Sequence, residues 1–199
     1  VEGYVRGLSR RRPDIEITTL RFANVIGPRI RTAFTDHFSL PVIPIPLGYD
    51  ARLQFVHEDD CVGALAQALT VPGLGAVNVA GEGIITASQA ANLAGRPYVL
   101  VPRATTSGIA DLAKRFGLID IGSDQLDMLS FGRGLDTTRM RDALGFEPAY
   151  TTRAAYEDFA RATKGRVLDR LPFAQPGWSA VQAAEAAMRA VTPTTESEK

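Results

Sequence analysis

The sequence predicts an α/β chain built as one edge of a doubly wound parallel sheet carrying a small α/β lobe. Three observations lead there. Short strands rich in β-branched residues alternate with amphipathic helical segments along most of the 199 residues. The opening helix runs through a short loop into a strand but has no strand ahead of it, which is half of a βαβ unit. The later strands are few and scattered, too few in succession for a complete doubly wound sheet.

Each element has a local cause. Val1, Tyr4, Val5 and Leu8 recur at helical spacing, which makes Tyr4 a packed helix tyrosine, and Pro13-Asp14 stops that helix. Arg10-Arg11-Arg12 suits its last turn, at the negative end of the helix dipole. Ile15 to Phe22 is a β-branched strand between a Pro turn and the Gly27-Pro28 break. Ile30 to Ser39 holds a short helix. In "LPVIPIPLGYD", Pro41, Pro44 and Pro46 cannot donate to a ladder, so this is an extended loop or an edge strand. "RLQFV" (Arg52 to Val56) is a short strand. "HEDDCVGALAQALT" is a helix capped by Asp59 or Asp60, with acidic residues at its positive end.

"GAVNVAG" is a further strand between glycine turns. Thr86-Ala87-Ser88-Gln89 opens a helix to Leu93, ended by Gly95-Arg96-Pro97, and "YVLVP" is a strand. "ATTSGIADLAKRFG" and Ser123 to Ser130 are helical. Asp136 caps "TTRMRDALG", which Gly145 ends. Thr151 or Thr152 starts an amphipathic helix through Lys164. "PFAQPGWS" is a linker whose Phe173 and Trp178 fix the alanine-rich helix Ser179 to Val191 onto the body. The expected organisation is a sheet remnant over 1–40 and a lobe with return elements to the sheet over 41–165. An extension helix follows over 166–191 and a disordered polar tail over 192–199.

Composition narrows the function classes. Apolar residues make up 45% and charged residues 22%, the balance of a soluble globular chain. Basic and acidic residues number 22 each, so net charge gives no case for nucleic acid or an anionic membrane. Cys61 is the single cysteine and cannot form an internal disulfide; His37 and His57 make no metal cluster. There is no apolar run of about 18 residues and no signal peptide, and the expected location is the cytoplasm. The chain opens on Val in mid-helix, which reads as a cut end.

Three boxes carry a resemblance. "LRFANVIGPR" (Leu20 to Arg29), "LQFVHEDDCVGAL" (Leu53 to Leu65) and "LDTTRMRDALGFEP" (Leu135 to Pro148) follow one another in the chain. They resemble, in order and spacing, the C-terminal half of the extended short-chain dehydrogenase/reductases, the NAD-dependent sugar epimerases and dehydratases. The general likeness is to actinobacterial proteins labelled UDP-glucose 4-epimerase-like. It covers about residues 1 to 164 and implies a Rossmann-type fold with a substrate lobe. The intact enzyme it implies oxidises a carbon of a nucleotide sugar, a UDP-sugar, with bound NAD and then returns the hydride. The family's Tyr-x-x-x-Lys helix immediately precedes the first box. Here Tyr4 is followed four residues on by Leu8, and "GLGAVN" leads into a strand rather than opening a helix on a pyrophosphate. The expectation is therefore that this chain has no catalytic residue and binds no NAD alone.

Residues that match the family's motifs remain as site candidates. The resemblance makes Phe22 and Ala23 the nicotinamide-side lining and Asn24 the residue that meets the sugar nucleotide. The Asn24 carboxamide offers two donors and an acceptor to a polyhydroxylated ligand; otherwise it is a turn residue bonding its own backbone. Arg21 is expected in a buried ion pair. Arg29 and Arg31 either grip a diphosphate bidentately or lie solvated in the loop. UDP-sugar epimerases carry Arg-Asp where this chain has Leu53-Gln54, with Arg52 one position early. A one-residue shift on a strand reverses a side chain, so Arg52 reaches the diphosphate only through a bulge; Arg52 and Gln54 are the substrate-binding candidates of this box. Arg133 lies near, but not at, the position of a second family arginine. His57 is a strand-end hydrogen-bonder, and Cys61 a small packed residue near a helix start, where the dipole can lower a thiol pKa. The alternative function is a non-enzymatic module. It would pair with its missing half, or with itself, through the apolar strand edge at Ile15 to Phe22.

Overall fold

The computed structural model describes residues 2–71, 73–102 and 129–164. The helices expected over 104–117 and 179–191, Phe173, Trp178 and most of 123–130 lie outside the described residues. The first elements are α1 (Glu2–Arg11), β1 (Thr18–Phe22), β2 (Asn24–Ile26), α2 (Ala33–Phe38), β3 (Ile43–Pro46), β4 (Arg52–Leu53) and β5 (Phe55–His57). They continue as α3 (Glu58–Ala68), β6 (Gly75–Val79), β7 (Ile85–Thr86), α4 (Ala87–Leu93) and β8 (Tyr98–Val101). After the next described stretch begins come β9 (Gly132–Arg133), α5 (Thr138–Asp142) and α6 (Thr152–Thr163).

Helix starts are set by side chains that satisfy otherwise unpaired N–H groups. Thr32 with Thr35, and Thr86 with Gln89, form reciprocal capping boxes at α2 and α4. Thr151 Oγ1 accepts from Ala154 N at 3.1 Å at α6. At α3 the cap is His57, not Asp59 or Asp60: its Nδ1 accepts from Asp59 N at 3.2 Å. Asp60 is instead buried, accepting from Ala149 N at 2.8 Å and Tyr150 N at 3.1 Å. Asp136 Oδ1 accepts from Thr138 N at 2.9 Å ahead of α5.

Two expected strands change. β1 starts at Thr18 rather than Ile15, because the Pro13-Asp14 turn persists and Ile15 N donates back to Arg12 O at 3.1 Å. The run Arg52 to Val56 is two strands in different sheets, broken at Gln54. The proline-rich stretch does form a strand. Ile43 N donates to Pro97 O at 2.9 Å and Leu47 N to Val101 O at 2.7 Å, and Pro44 and Pro46 fall at the alternate positions.

β1 pairs in parallel with β6, β2 with β5 and β3 with β8, while β4 lies between antiparallel β7 and parallel β9. Helix α3 makes the crossover between the first two pairs of strands, packing on β1, β2 and β5. The two faces of β5 feed different cores. Phe55 joins Phe34, Phe38, Tyr156 and Phe159 in an aromatic core, with Phe38 and Tyr156 ring centroids 5.4 Å apart and perpendicular. Val56 joins Val77, Val79, Ala64, Met140 and Leu144 on the sheet side. Buried Arg96 ties the first core together, donating to Phe38 O at 2.6 Å and Thr163 O at 3.3 Å. Outside both cores, α1 buries none of its residues. Its Tyr4 is 72% exposed, which corrects the expected packed tyrosine; of the apolar stripe's described residues, Val5 and Leu8 are the ones partly buried.

His37 is buried at the end of α2 with Nδ1 unpartnered among the described residues, and burial pushes its pKa down to about 4. The unfolded chain protonates this imidazole near 6.5, so between those values the unfolded state binds more protons. Stability from this group is complete above about pH 6.5 and falls as pH drops toward 4, by at most about 3 kcal/mol. Urea unfolding from pH 7 to 4.5 should show a shallower loss of stability in His37→Leu than in the parent chain. Equal slopes would contradict this origin.

Candidate functional site

At Ala23 the first strand exchanges partners. Ala23 N still donates to Val79 O at 2.9 Å, on the β6 side, but Asn24 stands opposite Phe55 in the β5 ladder. A cleft of about 460 Å³ opens against this junction, just past the carboxyl end of β1. That is where parallel sheets accept ligands, because strand ends there leave polar backbone and loop side chains facing a crevice. Phe22, Ala23, Asn24, Gln54, Asn78 and Leu135 line it. Glu2, Arg21 and Arg133 complete the lining.

The polar groups differ in what holds them. Arg21 Nε and Nη2 donate to the two Glu2 oxygens at 2.6 and 2.5 Å, and this bidentate pair holds the Glu2 carboxyl below the usual carboxylate range. The pair is half-exposed rather than buried, because α1 lies outside the core. Asn24 Nδ2 donates to Gln54 O at 3.3 Å, leaving its oxygen without a protein donor among the described residues. Gln54 is buried and engaged at both ends. Its Nε2 donates to Gly81 O at 3.0 Å and its Oε1 accepts from Leu135 N at 2.7 Å. Asn78 Nδ2 donates to Asp136 O at 2.9 Å.

Of the predicted site residues, Phe22, Ala23, Asn24 and Gln54 come together along the cleft, whereas Arg29 and Arg52 lie outside its lining. Arg29 pairs with Glu58 at 2.9 Å and with Asp59, outside the cleft. Arg52 is exposed, and no bulge turns it inward: the strand breaks after Leu53, and Gln54 takes the inward place. Arg133, set in the sequence near but not at a family position, also lines the cleft. It reaches the site through β9, which pairs with β4 in the register Leu53 opposite Arg133. Gly132 permits this closeness. Its φ is +69°, and an added Cβ would lie 2.0 Å from Arg52 O.

No family model matches the sequence. An uncharacterized Mycobacterium tuberculosis protein, Rv0501, is 43% identical over 161 residues, which are 81% of this chain and 43% of that protein. A second, Rv2047c, is 32% identical over 166 residues, 81% of this chain and 18% of its own length. The chain thus spans less than half the length of these relatives. Among solved structures, a UDP-glucuronic acid 4-epimerase from Bacillus cereus, in complex with UDP-glucuronic acid and NAD, aligns with a TM-score of 0.58 at 15% identity. That alignment covers 81% of this chain and 49% of the other. UDP-glucose 4-epimerase from Thermotoga maritima, with UDP-glucose, aligns at 0.56 and 18% identity, covering 83% and 51%.

The fold is that of the Rossmann-type epimerases. No glycine-rich turn among the described residues joins a strand end to a helix start, and Gly73 and Gly75 lead into β6 instead. No group of His, Cys, Asp and Glu among the described residues could hold a metal, and no described helix is long and apolar enough to cross a membrane.

Beyond the cleft, His57 is 1% exposed, stacked on Tyr150 with centroids 3.9 Å apart. Since Nδ1 accepts the α3 cap bond, Nε2 carries the proton and faces Asp158 Oδ2 at 3.4 Å. That arrangement orients a helix start. At Cys61 the dipole loses to burial and to Asp60 and Glu58, which push the thiol up to about 11.

Gln54 clasps Gly81 to Leu135 beside the cleft. Replacing it with Leu leaves the part-buried Leu135 N without that acceptor and leaves buried Gly81 O with Thr152 Oγ1 alone. We expect Gln54→Leu to lower unfolding free energy by about 2–4 kcal/mol in denaturant titration. A loss under about 0.5 kcal/mol, the usual range of a surface change, would contradict the clasp.

Proposed function

We propose that this chain forms the substrate-facing half of an NAD-dependent nucleotide-sugar epimerase or dehydratase acting on a UDP-sugar. The observation that carries the reading is the position of Asn24, at the partner exchange past the carboxyl end of β1, lining an open cleft. Solved epimerases that align over this span are described with UDP-glucose, or with UDP-glucuronic acid and NAD, which supports the ligand class.

In this reading the chain's part is to bind and orient. The free Asn24 oxygen accepts from a sugar hydroxyl, while Gln54 O fixes the amide end so that the carboxamide does not rotate away. Phe22 and Ala23 give an apolar wall against which a nicotinamide ring can lie. NAD, when bound, supplies reversible hydride transfer; its cradle and the proton-transferring residues belong to the remainder of the protein. The open side of β1, hydrogen-bonded among the described residues to β6 alone, and the unburied α1 are where we place that remainder.

Titrating the isotope-labelled chain with UDP-glucose should shift the Asn24 side-chain amide resonances. The same chain mixed with NAD and UDP-glucose or UDP-galactose should give no conversion. Unmoved Asn24 signals at saturation would refute the site, and turnover would refute this division of labour.

A further inference from the structure

Helix α3 meets the sheet with one side and leaves another uncovered. Ala64 is buried, and Cys61 and Ala68 pack partly against the aliphatic core. Val62, Leu65 and Leu69 stand 67%, 52% and 90% exposed, at the i, i+3, i+7 spacing of one helical stripe. Residues 61–70 hold no charged side chain, and the last turn of α3 carries no basic residue. Solvent-facing helix surfaces ordinarily carry charge, as α6 does at Arg153 and Arg161. A stripe of a valine and two leucines without it marks a contact surface rather than a water-facing one.

What the chain itself offers this stripe lies past α6. In the sequence, Val181, Ala184, Met188 and Val191 fall at i, i+3, i+7 and i+10, the same two-per-heptad seam, with alanine at most positions between. Small residues beside a seam let two helices approach closely, and an apolar seam fits an uncharged stripe of the same period. The exit point is near α3. Asp158 Oδ2 of α6 lies 3.4 Å from Nε2 of His57, the residue that caps α3. Lys164, the C-cap of α6, follows Asp158 by about 9 Å of helix axis. The stretch 165–178, fully extended, spans up to about 46 Å, well beyond the length of α3, about 16 Å. A tethered segment acts at an effective concentration on the order of millimolar, so it outcompetes a second copy of the chain at ordinary protein concentrations.

We propose that the segment 179–191 docks as a helix on the Val62, Leu65 and Leu69 stripe of α3 within the same molecule. In either helix direction Met188 then falls beside one of the three stripe residues. The inference is independent of what the cleft binds.

Methyl NMR of the full chain, labelled at leucine, valine and methionine methyls, tests it. The Met188 methyl should show nuclear Overhauser contacts with methyls of Val62, Leu65 or Leu69. Those contacts should be lost in Leu65→Glu combined with Leu69→Glu, and equally in Ala184→Glu, a change outside the described residues. Contacts of the Met140 methyl within the aliphatic core report that the fold is kept. Should the double change disturb that core, Ala184→Glu alone decides. A sample mixing labelled and unlabelled copies separates contacts within one molecule from contacts between two. Contacts found only between copies would put a second chain on the stripe and overturn the proposal. A Met188 methyl without contact to α3, or contacts that survive Ala184→Glu, would overturn it as well.

Discussion

Everything in this structure is arranged around the exchange of hydrogen-bonding partner at Ala23. A single extended segment gives its first half to β6 and its second to β5, and it cannot do so without a junction. Polar groups must still be satisfied there, because an unpaired buried amide costs about 1–3 kcal/mol. Ala23 N keeps Val79 O, and Asn24 reaches Gln54 O through its side chain. An apolar residue in place of Asn24 would give up that bond. The chemistry that closes the junction is thus the chemistry that faces the cleft.

The same junction divides the packing. Phe55 and Val56, adjacent on β5, point to opposite sides and seed two cores, one aromatic and one of small aliphatic residues. Gly81 sits where the two meet. Its N donates to Phe55 O at 2.8 Å, and its O accepts from Gln54 Nε2 and from Thr152 Oγ1 at 3.1 Å. Backbone crowds it from three sides, with Tyr150 O only 2.8 Å from where a Cβ would stand. The first turn of α6 is docked here through Thr152, whose N donates to Glu82 O at 2.8 Å and whose Oγ1 donates to Gly81 O, so Gln54 and α6 are coupled through Gly81.

Much of this was legible in sequence because it is local. Capping pairs such as Thr86 and Gln89, the Pro alternation in β3 and the strand ending at Phe22 each depend on neighbours a few residues apart. The contiguous run Phe22, Ala23, Asn24 shares the cleft for the same reason. What sequence did not disclose depends on distant pairing. Gln54 looked like a ligand residue in a failed arginine motif, whereas its amide spans Gly81 and Leu135, the latter 81 positions away. Arg52 and Arg29 looked available, but a strand break turned one out and two acidic residues of α3 took the other. Arg133 is in the cleft because of a register between β4 and β9 that no local pattern encodes. His57 replaced the acidic caps because its stacking on Tyr150 brings Nδ1 over the first turn of α3.

We place the ligand at the junction at Ala23. The most direct test is a crystal structure of the chain soaked with UDP-glucose. Difference density is expected between Asn24 and Arg133, with the sugar against Asn24. The molecule offers a second open cleft, about 640 Å³, between α4 and the start of α6, lined by Glu82, Asn92 and Arg153. Density there, with the junction cleft empty, would contradict the account.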